Sequence, residues 1–452
     1  MSDYKVIYDP VHGTIKINGV LLDLIGSPEL IRLNQIRQLG LSYLVFPGAH
    51  HTRFEHSVGT SHVAGLLARE IDLPKSEIDL VSAAGLLHDI GHGPFSHTLE
   101  RIFKERIGKD HMQITRDLIT GEDRIIDRDT VRFEGSGESP EIPVILESHD
   151  IDPKMVAELV CQEEISQEGN QERLTVQDGQ AYFSTKGYLY QLIHSAIDAD
   201  QLDFLLRDSR YTGVAYGIID LDRIIHTITL YHGRIMIHRR GISALEGMLV
   251  ARSLMYSSVY FHKTARIAES MLVRAGESLS DERLEEIWPL TDGEVLHILG
   301  KEEGVPGDIV RRLRYRKLFK SAFRLESEKM AGETPDSEGH RRMIREMARP
   351  EERRMLESMI CRKASVPEGL VIVDIPDPAL TLSEPRLRRT DINVLGDRPE
   401  PLSRISNIAR ALQFRPGIPW CMMVSCPGKY IPEVSGIMDS HYRSMIDIDQ
   451  ST

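Results

Sequence analysis

Two spacings of apolar residues divide the chain into a short β segment and a long helical region. Alternating apolar and polar residues over 4–20, with a turn at His12-Gly13, predict a hairpin. From Ser27 onward apolar residues recur at helical spacing, and Ser27-Pro28 is a typical helix start. This spacing predicts helices at about 29–39, 55–70, 77–90, 95–106, 110–120, 153–165, 186–206 and 242–274.

The last third of the chain has a different pattern. Residues 326–350 are rich in charged residues and indicate a solvated helix or a linker, and short β-like runs follow at 370–375 and 420–425. We therefore divide the chain into a helical body, a charged linker or helix, and a small α+β lobe, with bounds 1–325, 326–366 and 367–452. The charged segment 121–143 contains Gly and Pro and indicates a loop or an insertion.

Composition narrows the possible partners and location. The chain has 452 residues and a net charge of −13. An acidic protein repels nucleic acid and anionic membranes, so we expect neither as a partner. The basic run 311–320 is either a solvated helix face or a local polyanion site. We expect no signal peptide and no membrane span, and four cysteines without a CxxC motif favour a reducing, cytoplasmic location.

The segment 86–97 carries the clearest chemical signal. In it, His88 and Asp89 follow an apolar run that predicts a buried helix, and two more histidines come soon after. Imidazole and carboxylate ligands together are typical of Zn, Fe, Ni and Mn sites, and a buried carboxylate is costly unless it is paired or bound to metal. An isolated His-Asp pair is more often a surface feature, but a histidine run that begins at His50-His51 and ends at His56 lies upstream, and carboxylates follow over 198–203. One histidine, the His-Asp pair and one distant aspartate would make a four-ligand set. Spacing alone leaves open whether the four converge.

The ordered motifs resemble those of the HD-domain metal-dependent phosphohydrolases, whose signature is H…HD…D. The chain is more closely similar to the dGTPase-like deoxynucleoside triphosphate triphosphohydrolases, in particular their sterile-alpha-motif and HD-domain branch. The matching segments follow in family order at 9–13, 37–40, 45–49, 53–56, 88–97, 200–208, 260–263 and 315–320. The resemblance implies a mainly α fold, with an HD-domain helical core, small β-hairpins and a smaller α+β C-terminal lobe.

The resemblance also implies a metal centre and a set of catalytic residues. The implied metal ligands are His56, His88, Asp89 and Asp200. They would hold a divalent transition metal, Fe, Mn, Zn or Ni, possibly with Mg, and such an ion neutralises phosphate charge and activates water. The implied catalytic residues are His92, His97, Glu100 and His111. Of these, His97 would protonate the leaving oxygen, and Glu100 stands where the family usually has Asp.

The substrate contacts implied by the resemblance are Gln38, Leu39, Arg53, Asp208, Arg252 and Tyr260. The first two match a pair that packs on the deoxyribose and leaves no room for a 2′-hydroxyl, and the arginines match phosphate contacts. The chain departs from the family at Gln201, Phe204 and Phe261, where a lysine, a tyrosine and a glutamine are usual. These departures affect triphosphate and base contacts.

A regulatory phosphate site is a further implication. Lys5, Arg240, Arg316 and Lys320 fall at or near positions that bind activator phosphates in relatives. The acidic residue that reads guanine there is Gly26 in this chain, beside Ile31 and Asn34. We therefore expect a possible nucleotide activator without strict guanine specificity.

We interpret the chain as an enzyme that hydrolyses deoxynucleoside triphosphates to deoxynucleoside and inorganic triphosphate, and that forms a homodimer or homotetramer. The resemblance supplies this product pattern, whereas the residues alone indicate only metal and phosphate chemistry. Two alternatives remain at this point. One is another HD-type nucleotide phosphohydrolase resembling the 5′-nucleotidases, and the other is a nucleotide-sensing protein with little turnover.

Overall fold

Helices make up most of the molecule, and the predicted mainly α fold with small sheets is confirmed. The structure, a computed structural model, describes residues 4–127, 139–161, 175–177, 180–182, 187–326, 343–376, 392–413 and 420–447. In chain order the helices are α1 (Val20–Leu24), α2 (Pro28–Arg32), α3 (Arg53–Glu70), α4 (Lys75–Leu87), α5 (His97–Ile107), α6 (His111–Thr120), α7 (Ile142–Ser148), α8 (Pro153–Cys161), α9 (Gly187–Ile193), α10 (Ala199–Thr212), α11 (Leu221–Ile225), α12 (Ile242–Met255), α13 (Lys263–Gly276), α14 (Asp281–Ile287), α15 (Asp292–Lys301), α16 (Val305–Arg314), α17 (Pro350–Ala364), α18 (Leu402–Ile405), α19 (Asn407–Leu412) and α20 (Ile431–Asp447).

The strands form four small sheets. They are β1 (Tyr4–Asp9), β2 (Gly13–Asn18), β3 (Thr175–Gln177), β4 (Gln180–Tyr182), β5 (Ile228–Tyr231), β6 (Arg234–His238), β7 (Lys320–Glu326), β8 (Ile372–Asp374), β9 (Asn393–Leu395), β10 (Pro399–Pro401) and β11 (Trp420–Cys426). Antiparallel β1 and β2 make the predicted N-terminal hairpin, with Tyr4 opposite Asn18. A second sheet has the strand order β10-β9-β6-β5, in which β6 and β9 are parallel.

Helices α3 and α4 form the centre of the molecule. A capping box starts α3, in which the Glu55 backbone N–H donates to the Thr52 side chain and the Thr52 N–H donates to Glu55. Small residues let the two helices approach closely, since a Cβ on Gly85 would lie 3.2 Å from the Ser61 Cα. Leucine, valine and alanine side chains of both helices are buried in one large apolar core. This packing fixes the ends of α3 and α4 that carry the candidate ligands.

A C-terminal lobe packs against this core. Its sheet has the order β7-β11-β8, with both pairings antiparallel, and α17 and α20 lie against it. A separate apolar cluster fills the lobe and includes Leu325, Ile360, Val424 and Met438. Strand β7 of this lobe lies at the end of the segment predicted as the helical body. Strands β9 and β10, from the segment predicted as the lobe, instead pair in the sheet that contains β5 and β6 of the core. The domain bounds predicted above stay a prediction.

Two long predicted helices are each divided in the structure. The predicted helix 186–206 is two helices, α9 and α10, in the structure. Helix α10 begins separately because the Asp198 side chain caps its start by accepting a hydrogen bond from the Gln201 N–H. The predicted helix 242–274 passes through a π-helical segment, Tyr256–Tyr260, before α13 begins. Residues 128–138 of the predicted loop and 327–342 of the predicted linker lie outside the described residues.

No helix within the described ranges has both the length and the apolar character needed to cross a bilayer.

Candidate metal centre and histidine cluster

The four predicted metal ligands converge from three helices. His56 lies on α3, His88 and Asp89 follow α4, and Asp200 lies in the first turn of α10. The Nε2 atom of His56 is 3.0 Å from Oδ1 of Asp200 and 3.9 Å from Oδ2 of Asp89. The Nε2 atom of His88 is 3.4 Å from Oδ1 of Asp89 and 3.8 Å from Oδ1 of Asp200. Two imidazole nitrogens and two carboxylates therefore face one point.

A second carboxylate fixes the orientation of the His56 ring. The Nδ1 atom of His56 donates to Asp203, 2.7 Å away, and this leaves Nε2 directed at the ligand cluster. Asp203 also accepts from His12, at 2.6 Å, and from two guanidinium nitrogens of Arg207. All four side chains are buried or nearly so. The network behind His56 is thus fully paired.

The four donors fit a divalent metal ion. The Nδ1 atom of His88 donates to the Gly85 carbonyl at 2.8 Å, while its buried Nε2 has no hydrogen-bond partner among the described residues. A buried nitrogen without a partner is unfavourable, and a cation would satisfy it. Burial lowers the pKa of His56, but hydrogen bonds to Asp200 and Asp203 raise it to about 10. The carboxylates therefore stabilise positive charge at the place where a metal would bind.

Beside the metal ligands lies a cluster of three histidines and one glutamate. Glu100 accepts hydrogen bonds from Nδ1 of His97, at 3.0 Å, and from Nδ1 of His111. The rings of His92 and His111 stack with centroids 4.1 Å apart. The Nε2 atom of His92 is 3.3 Å from Oδ1 of Asp89, so this cluster is continuous with the metal centre. All four predicted catalytic residues therefore come together.

The protonation of this histidine cluster follows from its surroundings. Burial and the positive charges of Arg53 and His111 hold the pKa of His92 well below its usual value, so this ring is neutral. Burial raises the pKa of Glu100, but hydrogen bonds from His111 and His97 outweigh burial and lower it. Glu100 is therefore an ionised acceptor that fixes the two imidazoles. It replaces the usual Asp and still reaches both rings.

A strained turn positions the start of α5. Phe95 and Ser96 have φ angles of 56° and 46°, in the region that non-glycine residues avoid. The carboxylate of Asp292 accepts from the Phe95 N–H at 2.7 Å and holds this turn. The buried guanidinium of Arg32 donates to the His92 carbonyl at 3.0 Å and to three carbonyls before α15. These contacts fix the backbone on both sides of His97.

Arg53, predicted as a phosphate contact, lies at the centre of these interactions. Its guanidinium donates to the carboxylate of Asp89 and to the hydroxyl of Ser96. Its side chain is only 2% exposed. Arg53 thus joins the metal centre to the strained turn, and its role toward phosphate stays a prediction.

The predicted sugar contacts form a separate group. Asp208 accepts from Nε2 of His51, at 2.8 Å, and from the hydroxyl of Tyr260, at 2.7 Å. The Gln38 backbone N–H donates to the His51 carbonyl at 3.0 Å, and Leu39 packs partly buried beside it. The side-chain oxygen of Gln38 is buried and has no hydrogen-bond partner in the described part of the chain. These residues thus form one connected wall.

The positions that depart from the family have clear structural surroundings. The ring of Phe204 lies edge to face with that of Tyr260, 6.1 Å away, and offers no hydroxyl. The side-chain amide of Gln201 donates into the cap of α10, at Ser195 and Asp198. Phe261 is buried, as is the predicted phosphate contact Arg252.

The four predicted regulatory cations are all exposed. Lys5 lies on β1, Arg240 precedes α12, Arg316 follows α16, and Lys320 starts β7. Arg316 donates to the Leu44 carbonyl at 2.7 Å. The positions that replace the guanine reader and its neighbours are also exposed, at Gly26, Ile31 and Asn34. A shared phosphate site stays a prediction.

Sequence reasoning missed four residues that support the site: Arg32, His51, Asp203 and Asp292. Asp203 carried a signal, because it lies one helical turn after Asp200 on the same face. His51 stood in a noted histidine run without an assigned role. Arg32 and Asp292 act from 60 and 197 residues away from their partners, and no local pattern marks such contacts.

The sequence of this chain matches known protein families and individual proteins. The HD domain family matches residues 53–176, and the HD associated region matches residues 219–451. An uncharacterised protein of Methanocaldococcus jannaschii is 34% identical, over 70% of this chain and 59% of that protein. The uncharacterised protein YwfO of Bacillus subtilis is 32% identical, over 71% of this chain and 72% of that protein. The deoxynucleoside triphosphate triphosphohydrolase SAMHD1 of Gallus gallus is 29% identical, over 74% of this chain and 58% of that protein.

A solved structure agrees with these sequence matches. The phosphohydrolase of Bacteroides thetaiotaomicron has a TM-score of 0.64 and 25% identity, and the match covers 94% of this chain and 99% of that one. The chain spans less than two thirds of the archaeal and chicken relatives. Its fold and ligand set, with these matches, place the chain in the HD-domain phosphohydrolase family. Within that family its relatives include the SAMHD1 deoxynucleoside triphosphate triphosphohydrolases.

Proposed function

We propose that this protein hydrolyses deoxynucleoside triphosphates to deoxynucleoside and inorganic triphosphate. The observation that carries the proposal is the continuity of two groups, the metal-ligand set and the histidine cluster, through the contact between Asp89 and His92. A phosphate held at this junction would meet positive charge on one side and imidazole groups on the other. The similarity to SAMHD1 proteins supports the triphosphate product.

Each group of residues would have its own role in this reaction. His56, His88, Asp89 and Asp200 would hold the divalent ion. When bound, the ion supplies charge to neutralise phosphate and activates water. Glu100 fixes Nδ1 of His97 and leaves Nε2 available to give a proton to the leaving 5′-oxygen. His92, held neutral, and His111 would contact phosphate oxygens.

Sugar selection is assigned to Gln38 and Leu39. The Gln38 backbone is linked through His51 to Asp208 and Tyr260, and the Gln38 side-chain oxygen is buried. A 2′-hydroxyl placed against this wall would clash or lack a partner, which disfavours ribonucleotides. We therefore expect deoxynucleotides to react much faster than ribonucleotides.

The test is to incubate metal-loaded protein with each dNTP, rNTP and dNMP and to resolve the products. Inorganic triphosphate from dNTPs supports the proposal, whereas orthophosphate from dNMPs would support a 5′-nucleotidase-like activity instead. We expect the variant with both His88→Ala and Asp89→Ala to lose metal and activity while it stays folded. His226→Ala, at the exposed histidine that follows α11, is the matched control. Full metal occupancy in the double variant would refute the ligand assignment.

We also propose a nucleotide activator site built from the four exposed cations described above, in a homo-oligomer. The separation of Lys5, Arg240, Arg316 and Lys320 onto different elements is compatible with a site completed between subunits. The absence of an acidic residue at Gly26 argues against strict guanine recognition. A cytoplasmic location stays a proposal, supported by four cysteines that are free thiols.

A further inference from the structure

A cavity of about 70 Å³ lies between the core and the C-terminal lobe, next to the histidine cluster. Its walls come from α5, α13, α17 and β8, and His97 forms part of its lining. A volume of roughly 15 Å³ is enough for one water molecule, so this cavity has room for a larger group. Nothing in the proposed reaction uses it.

The charges around this cavity are unevenly paired. Arg266 lies 3.1 Å from Glu269 and 2.8 Å from Asp374, and Arg274 forms ion pairs with Glu277, at 3.0 Å, and Glu357. Each of the four acidic side chains of the lining is therefore paired with one of these two arginines. The other cations of the lining are Arg101, Arg353 and Arg354. Of these, the exposed Arg354 lies 3.7 Å from Glu277.

Arg353 is the unusual member. Its side chain is 9% exposed, and it makes no hydrogen bond or ion pair within the described part of the chain. Burial and the charge of Arg101 lower its pKa, while Asp374 and Glu357 act on it from beyond ion-pair distance. Within the described part of the chain, Arg101 forms an ion pair with Glu105 alone, at 4.0 Å. Arg101 and Arg353 thus line one cavity, and among the described residues neither forms an ion pair with a carboxylate of its lining.

An unpaired buried cation is unfavourable, and a bound anion would relieve both its desolvation and the repulsion from Arg101. Guanidinium groups bind phosphate oxygens in a planar, two-point manner. We propose that Arg101, Arg353 and Arg354, which we call the arginine pocket, bind a phosphate group beside His97. The C-terminal lobe would thereby contribute two cations to phosphate binding.

Two sources could supply this phosphate: the far end of a substrate's phosphate chain, or a separate phosphate ion. The probes are inorganic tripolyphosphate and orthophosphate, titrated by calorimetry against the protein with both His88→Ala and Asp89→Ala. In this background the metal centre is disabled, so the result does not depend on the proposed reaction. We expect Arg353→Gln to weaken phosphate binding about tenfold or more. The control Arg362→Gln, exposed on the same helix, should stay within about twofold.

The two sources are then distinguished with the otherwise unaltered protein. If Arg353→Gln raises KM for triphosphates but not for monophosphates, the pocket holds the end of the substrate. If KM is unchanged while orthophosphate still binds, the pocket holds a separate ion. Equal binding of both probes by the parent and by Arg353→Gln would overturn the proposal.

A stability measurement separates a binding cation from a structural one. Arg353→Met removes a buried charge without a partner, so in phosphate-free buffer it should raise Tm. It should also abolish the rise in Tm that phosphate gives the parent protein. If Arg353→Met lowers Tm equally with and without phosphate, Arg353 has a structural role and the proposal is wrong.

Discussion

At the residue scale, a single carboxylate orients His56, the candidate metal ligand on α3. Asp203 bonds His56, His12 and Arg207 at once, and its burial leaves it no contact with solvent. A buried group with three partners has little freedom to move. The position of the His56 ring therefore depends on an acid that is not itself a ligand.

We expect Asp203→Asn to weaken metal binding by about 10- to 100-fold, because the amide cannot accept from all three partners. The measurement is metal content after dialysis against a graded series of chelator concentrations. Asp198→Asn is the control, since asparagine caps α10 as well as aspartate does. Unchanged metal retention in Asp203→Asn would show that the His56 ring is held by packing alone.

Another residue-scale effect concerns acid stability. Burial, with the charges of His12 and Arg69, lowers the pKa of His62 to about 4. Between about pH 6.5 and pH 4 the unfolded chain binds a proton at this position and the folded protein does not, so stability falls as the pH falls. The partial exposure of this ring keeps the slope well below about 1.4 kcal/mol per pH unit.

We therefore expect His62→Gln to flatten the loss of stability between pH 6.5 and pH 4. Urea unfolding at pH 7 and pH 5 measures it, as the difference between the two free energies of unfolding. His226→Gln, at an exposed histidine, should leave the pH dependence as it is in the parent protein. An equal slope in His62→Gln and the parent would contradict the assignment.

At the element scale, much of the fold follows from local signals. The predicted helix 55–70 corresponds to α3, and its capping box is visible in the sequence. The break before α10 was not predicted, because the apolar spacing continues across it and hides the helix cap formed by Asp198. The pairing of β7 with β11 joins residues about a hundred positions apart, and only tertiary packing selects it. The convergence of the four candidate ligands was predictable from family motifs, whereas Asp292 acts through a distant backbone contact.

The close approach of α6 to the loop after α4 gives an element-scale prediction. A Cβ on Gly91 would lie 2.4 Å from the His111 carbonyl oxygen and 2.4 Å from the Thr115 nitrogen. Both are backbone atoms, so α6 would have to move. We expect Gly91→Ala to lower the free energy of unfolding by about 1–3 kcal/mol and to reduce activity by displacing His111.

Thermal unfolding and a product assay measure the two effects of Gly91→Ala. Gly247→Ala is the matched control, because nothing lies within 4 Å of its Cβ and it stands inside α12. The Gly247→Ala change should raise the free energy of unfolding by up to about 1 kcal/mol. If both variants behave alike, the contact between α6 and the loop does not constrain the site.

At the scale of the whole molecule, an acidic protein must attract anionic nucleotides through local positive charge. The net charge is −13, whereas the exposed residues Arg316 and Lys320 are both cationic. We expect several nucleotides, not guanine nucleotides alone, to promote assembly or activity, and the effect should weaken with salt. Activity and oligomer mass with each nucleotide, for the parent and for Arg316→Glu with Lys320→Glu, measure this. Activation by guanine nucleotides alone would contradict the argument from Gly26.

The joint between core and lobe has a consequence for how the sequence can change over time. Arg266 pairs with Asp374 and Arg274 with Glu357, and each pair links α13 to the lobe across more than 80 residues of chain. Each arginine keeps a second partner on α13 or at its C-terminal end, Glu269 or Glu277, whereas the carboxylate in the lobe would lose its counter-ion if the arginine were replaced. A buried charge left without its counter-ion is far worse than the loss of both partners. A substitution of either arginine should therefore be inherited together with a change of its carboxylate partner in the lobe.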